Sequence, residues 1–193
     1  RLAVATVAGN AIFAAVTGTS LASAAAFSRL AYPEMINAGY SRKYALGSVA
    51  GSACLGMLIP PSVLLIIWGI VTEISIGFLF LAGILPGIVL ALLMAFYSAG
   101  TAILKPEVAP NVDLSKEKLT AQEMISGGGV IFLIFAVLGS IWAGFATPSE
   151  AAALGALFGL VLALIKGVRW DGIREAIIDS GKVIAPILFL LLT

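Results

Sequence analysis

The sequence predicts an all-α integral membrane protein, a polytopic helical bundle, on three observations. Residues 44–72 and 74–104 carry no charge over 29 and 31 positions, and a spanning helix needs only roughly 20 mostly apolar residues. The composition is 61% hydrophobic and 11% charged, against about 25% charged for an ordinary soluble domain. The eleven Lys and Arg residues cluster at Arg1, in 29–43, in 105–118 and in 166–182, as loops on one basic, cytoplasmic face would place them.

The same inventory excludes several chemistries. With no histidine in the chain, His-based metal sites, general bases and proton relays are absent together. The single cysteine, Cys54, sits in an apolar run and reads as a small packing residue. The net charge of +1 carries no information about partners, and nothing in the pattern suggests nucleic acid.

Taken in order, residues 2–28 contain Val16-Thr17-Gly18-Thr19-Ser20 at their middle. Gly18 permits unusual backbone angles, and the Thr and Ser hydroxyls can cap a new helix starting near Leu21. Each arm is about 15 residues, or about 22 Å, short of the ~30 Å hydrocarbon core. A re-entrant hairpin would bring Arg1 and Arg29 to the same basic side, and it is the preferred reading over one long helix kinked at Gly18.

The 43–71 segment is interrupted at Ile59-Pro60-Pro61-Ser62. Proline removes a backbone donor and clashes with the preceding turn, and it pushes its predecessor out of helix. Carbonyls near Gly56 to Ile59 therefore lose their helical partners, which membrane depth tolerates only beside protein or a watery cavity. A structural kink is the alternative. Residues 76–104 then read as an uninterrupted span, followed by a charged, proline-containing linker, 105–123. Further helices are expected over 128–145 and 150–166.

Between those two, Ala146-Thr147-Pro148-Ser149-Glu150 offers one acid. It reads as a first-turn carboxylate under a Thr147 or Ser149 cap rather than an intramembrane ion site. Residues 170–180 alternate Ile173, Ile177 and Ile178 with Arg174, Glu175 and Asp179, with Trp170 at one end, as in an amphipathic interfacial helix. A further helix starts at Val183 and the chain reads as part of a longer polytopic protein. Gly47-x-x-x-Gly51 and Gly155-x-x-x-Gly159 suggest close helix contacts.

Two helix interruptions, adjacent in sequence and similar in depth, point to the binding site of a secondary transporter. Half-helix N-termini suit a carboxylate, and freed carbonyls with the hydroxyls of Thr17, Thr19, Ser20 and Ser62 suit a hard cation such as Na⁺.

Five motifs occur in register along the chain. They are Thr17-Gly18-Thr19-Ser20 with its Ala-rich arm; Tyr32-Pro33-Glu34-Met35 with Gly39-Tyr40; Ile59-Pro60-Pro61-Ser62; Ser75-Ile76-Gly77 through Leu85-Pro86-Gly87; and Thr147-Pro148-Ser149-Glu150. Together they resemble the large membrane subunit of TRAP transporters, the tripartite ATP-independent periplasmic carriers of organic acids. The resemblance implies two inverted repeats in an elevator-type transporter. Residues 1–104 would be the transport part of the first repeat, with hairpin 1–31, broken helix 43–71 and helix 76–104. Residues 105–123 would be a cytoplasmic linker, and 124–193 would open the second repeat with scaffold helices.

It further implies Na⁺-coupled uptake of a carboxylate (a C4-dicarboxylate, sialic acid or similar) across a bacterial or archaeal inner membrane. The expected partners are a small membrane subunit and a periplasmic substrate-binding protein, with no cofactor beyond Na⁺ as coupling ion. Carried onto this chain, Thr17, Gly18, Thr19 and Ser20 would form one wall of the substrate and Na⁺ site. Gly56, Ile59, Pro60, Pro61 and Ser62 would form the facing wall. Na⁺ ligands would come from hydroxyl and backbone oxygens of Gly18, Thr19, Ser20, Gly56 and Ile59. Thr17 and Ser149 depart from the family's usual Ser and Thr, each keeping a hydroxyl.

Other classes fit less well. An intramembrane hydrolase would need a base near Ser20, and neither His nor a nearby Lys is present. A channel would need a polar stripe that no segment carries. A binding-protein-independent dicarboxylate/Na⁺ symporter of related hairpin architecture is the competing transporter reading.

Overall fold

A computed structural model of the protein describes residues 2–110 and 121–192, and it is all-helical over them. α1 (Leu2–Thr17) and α2 (Ser20–Asn37) are joined by a two-residue turn. α3 (Arg42–Ala53) runs into a 3-10 turn (Cys54–Met57), then an irregular stretch, then α4 (Val63–Thr72). α5 (Ile76–Leu104), α6 (Ala121–Trp142), α7 (Pro148–Ile165) and α8 (Trp170–Leu192) complete the chain. By length and hydropathy, α5 and α7 each suffice to cross a bilayer.

The turn after α1 forms where Gly18 takes φ +64°, a left-handed conformation that glycine adopts without steric cost. Thr19 then caps α2, its hydroxyl accepting from the Ala22 amide at 3.3 Å. α2 runs back along α1: the Phe13 and Phe27 rings meet edge to face at 5.8 Å, and Thr6 Oγ1 lies 3.8 Å from Met35 Sδ.

The core is built from small residues. One cluster gathers Ala3, Met35, Tyr40, Ala45, Ala102 and Ala109; a second joins Val7, Ala14 and Leu55. Tyr40, stacked on Tyr44 at 6.0 Å, is buried enough to push its phenol pKa up. Large apolar side chains face outward instead, among them Phe78, Phe96 and Ile103 at 70–75% exposure. Exposed apolar surface on this scale marks a lipid or protein contact, and close approach through Ala and Gly is how helices associate in lipid.

Several expectations need correction. The helix after Thr19 does not end at residue 31; it continues to Asn37 through Pro33, and the 29–43 segment is a loop only at its end. Met35, fully buried, anchors this extra length in the core, whereas Arg29 and Glu34 are on the exposed face. Charge did not mark the helix end. The break in 43–71 begins at Cys54, well before the prolines, whose missing amides remove only the helical bonds to Gly56 and Met57.

The linker that opens at Lys105 is exposed over residues 105–107 and then folds back onto the bundle. Ala109 is fully buried, and Val108 O accepts from Ser41 N at 3.0 Å. Its 111–120 portion lies outside the described residues. Residues 170–180 and 183–193 are not two elements but one helix through Leu192, with an Asp179–Lys182 ion pair of 2.7 Å on the exposed side at the expected boundary. Of the two Gly-x-x-x-Gly pairs, Gly155 does pack, on Val137, but a side chain at Gly47 would meet nothing within 4 Å.

Candidate functional site

The two interruptions meet backbone to backbone. A methyl group placed on Gly18 would lie 2.5 Å from the Pro61 carbonyl oxygen; one on Gly56 would lie 2.7 Å from the Thr19 carbonyl. Only glycine can occupy either position without displacing the other segment. The contact is also hydrogen-bonded, because Val63 N donates to Gly18 O at 3.0 Å. The turn that ends α1 therefore caps α4, whose own Ser62 makes no side-chain cap.

Four helix ends converge here: the C-termini of α1 and of the 3-10 turn, and the N-termini of α2 and α4. The N-terminal amides carry partial positive charge and the C-terminal carbonyls partial negative charge. Neither Pro60 nor Pro61 can donate to the carbonyls of Gly56 and Met57, so the helical pattern is broken there. Met57 O nevertheless has a partner, the Ser62 hydroxyl at 2.7 Å, and Ser62 itself is fully buried. Met57 O thus lacks a helical partner, as expected, and is met by a side chain instead.

The candidate residues divide accordingly. Gly18, Thr19, Gly56, Pro61 and Ser62 are brought into one contact region. Ser20 joins them, its amide 3.0 Å from a methyl placed on Gly56. Thr17 is turned back along its helix, its hydroxyl donating to Phe13 O at 3.0 Å. Ile59 and Pro60 face α5 rather than the turn: a methyl on Gly87 would meet Ile59 Cγ1 at 3.0 Å, and one on Gly83 would meet Leu58 O at 2.9 Å. The Gly18 and Thr19 oxygens expected as cation ligands already accept from Val63 N and Ala22 N. Each retains a second lone pair.

Gly83 and Gly87 were missed as site-shaping residues. Their four-residue spacing on either side of Pro86 was the available signal, since it puts both on the one face of α5 that can seat the irregular stretch. Asn10, fully buried within the apolar α1, was missed as well. Beside the contact, Val16, Pro61, Ile66 and Phe80 line one side of an apolar cavity of about 370 Å³, with Val137 and Gly155 of α6 and α7 opposite.

Glu150 stands apart from this region and caps a helix. Thr147 N and Oγ1 both donate to its Oε2 at 2.8 Å, and Glu150 N donates back to Thr147 Oγ1 at 3.4 Å. This reciprocal box holds the start of α7.

A family model, "Tripartite ATP-independent periplasmic transporter, DctM component", matches residues 1–193. The chain belongs to the DctM family. It is 33% identical over 193 residues to the C4-dicarboxylate TRAP transporter large permease protein of Pseudomonas aeruginosa, covering 98% of this chain and 44% of that protein. Against the ectoine TRAP transporter large permease of Halomonas elongata it is 33% identical, with coverage of 98% and 44%. Against the 2,3-diketo-L-gulonate TRAP transporter large permease of Escherichia coli it is 29% identical, with coverage of 93% and 42%. The chain thus spans less than half the length of these DctM relatives, which are transporter permease subunits and not enzymes.

Proposed function

We propose that the whole DctM protein drives Na⁺-coupled uptake of an organic acid across the inner membrane, with this chain supplying one repeat's half of the site. The observation that carries the reading is the backbone contact of Gly18 with Pro61 and of Gly56 with Thr19. Paired interrupted helices of this kind hold substrate and coupling ion in secondary transporters. The α1–α2 pair acts as a re-entrant hairpin, and 43–71 as the broken helix facing it. Residues 17–20 and 56–62 form the two walls. The amide ends of α2 and α4 attract the carboxylate, while the carbonyl of Gly56 and the hydroxyls of Thr19 and Ser20 ligate Na⁺.

The substrate is a C4-dicarboxylate or a similar carboxylate, a class supported by the names of relatives. A periplasmic binding protein delivers it, a small membrane subunit stands beside the permease, and the transport part moves in an elevator-like shift against α6 and α7. The test is uptake into proteoliposomes holding the full-length permease with its small subunit. Transport is expected to require a Na⁺ gradient and the binding protein, and to ignore ATP. Uptake without any binding protein would favour the simpler dicarboxylate/Na⁺ symporter, and uptake indifferent to Na⁺ would refute the coupling.

A further inference from the structure

We infer that Asn10 and Ser52 form a register latch between α1 and α3, and that Asn10 is a positioning residue for ion binding at the site above. The inference rests on the proposed Na⁺ coupling. Asn10 is fully buried, and its Nδ2 donates to Ser52 Oγ at 2.6 Å. Ser52 is also buried, and its hydroxyl donates to Ser48 O at 2.6 Å. A hydroxyl has one proton. Ser52 spends it within α3 and can only accept from Asn10, which fixes which end of the amide faces it.

The other end, Asn10 Oδ1, is consequently turned into the interior, where no protein donor meets it. A buried acceptor without a partner is destabilising, so an apolar side chain would pack this position at lower cost. Stability alone does not account for an asparagine here. What the amide adds is directional specificity, the role for which buried polar groups are best attested.

The geometry says what is being specified. Among the described residues this is the side-chain-to-side-chain hydrogen bond that joins α1 to α3. The remaining contact between them includes a longer approach of Asn10 Nδ2 to Val49 O at 3.5 Å and small apolar groups such as Ala3 and Ala45, which tolerate axial sliding. A hydrogen bond of 2.6 Å does not. Asn10 lies two helical turns before Gly18, and Ser52 one turn before Gly56. Helices are stiff over such lengths, so a slip of α1 against α3 would pass directly into the separation of Gly18 and Thr19 from Gly56 and Pro61.

The test compares Asn10→Leu, Ser52→Ala and the double variant in the full-length permease, reconstituted with its partners. Ser52→Ala leaves the buried Asn10 amide with only its long 3.5 Å contact to Val49 O and is expected to lower the melting temperature. The double variant replaces both partners by apolar groups and is expected to melt near wild type. The decisive reading is the half-saturating Na⁺ concentration. It should rise about tenfold in Asn10→Leu and in the double variant, within the range of coupling between packed groups, with maximal uptake per folded protein retained. A double variant that melts and binds Na⁺ as wild type does would reduce the pair to packing and overturn the inference. Should wild-type uptake prove indifferent to Na⁺, the functional reading fails by itself. The substrate KM of the same double variant then decides the latch, and an unchanged KM overturns it.

Discussion

Substituting Gly56 by alanine tests the reasoning most directly. Gly56 does not adopt a left-handed φ, so the added methyl introduces no backbone strain of its own. It introduces only proximity: its Cβ would sit 2.7 Å from the Thr19 carbonyl carbon and oxygen, where ordinary contact begins at 3.4 Å. The atoms it meets are backbone, and no rotamer change relieves them. The α1–α2 turn must therefore retreat by the difference between those distances. Overpacking of a tight contact typically costs about 1–3 kcal/mol. If that cost falls on holding the two segments together, half-saturating Na⁺ rises between about fivefold and about 150-fold. The assay is the Na⁺ activation curve of substrate uptake in proteoliposomes, with thermal melting of the same preparation. Gly100→Ala is the control, because nothing lies within 4 Å of that position and alanine suits a helix interior better by about 1 kcal/mol. A Gly56→Ala protein with wild-type Na⁺ activation and wild-type melting would show that the contact does not govern ion binding.

Pro60→Ala restores an amide able to donate to Gly56 O, and is expected to weaken Na⁺ dependence; an unchanged Na⁺ activation curve would remove Gly56 O from the ligand set. Ser20→Leu fills the turn region without adding charge and should abolish uptake while membrane insertion, followed by fractionation and gel filtration, stays intact. Ser62→Ala strips Met57 O of its hydroxyl partner and should destabilise the protein by about 1–3 kcal/mol, read as a lower melting temperature. Thr147→Ala breaks the cap of α7 and should cost about 1 kcal/mol of stability. Its uptake rate per folded molecule should be unaltered, and a rate loss would give Glu150 a part in transport after all.

What the sequence determined by itself was everything local. The uncharged runs over 44–72 and 74–104 specified apolar helices, Gly18 the turn, Pro60 and Pro61 the interruption, and Thr147 or Ser149 the cap of α7, a choice the structure made for Thr147. These follow from the backbone preferences of single residues and their nearest neighbours, which act whatever the rest of the chain does. Helix ends and partners were less legible. α2 outruns its expected end because Met35 finds a pocket that includes Ala3, Ala102 and Ala109, residues remote in sequence.

Only the tertiary structure decided which oxygens are free. Ser62 could have faced a ligand, but the unwound turn presents Met57 O within 2.7 Å of it. Gly18 O could have been bare, but α4 begins where its first amide reaches that carbonyl. Gly83 and Gly87 read as small residues of a span until α5 laid them against Leu58 and Ile59. A hydrogen bond or a close backbone approach depends on distances of a few tenths of an ångström, most of them between segments 25 to 45 residues apart, set by packing of the whole bundle.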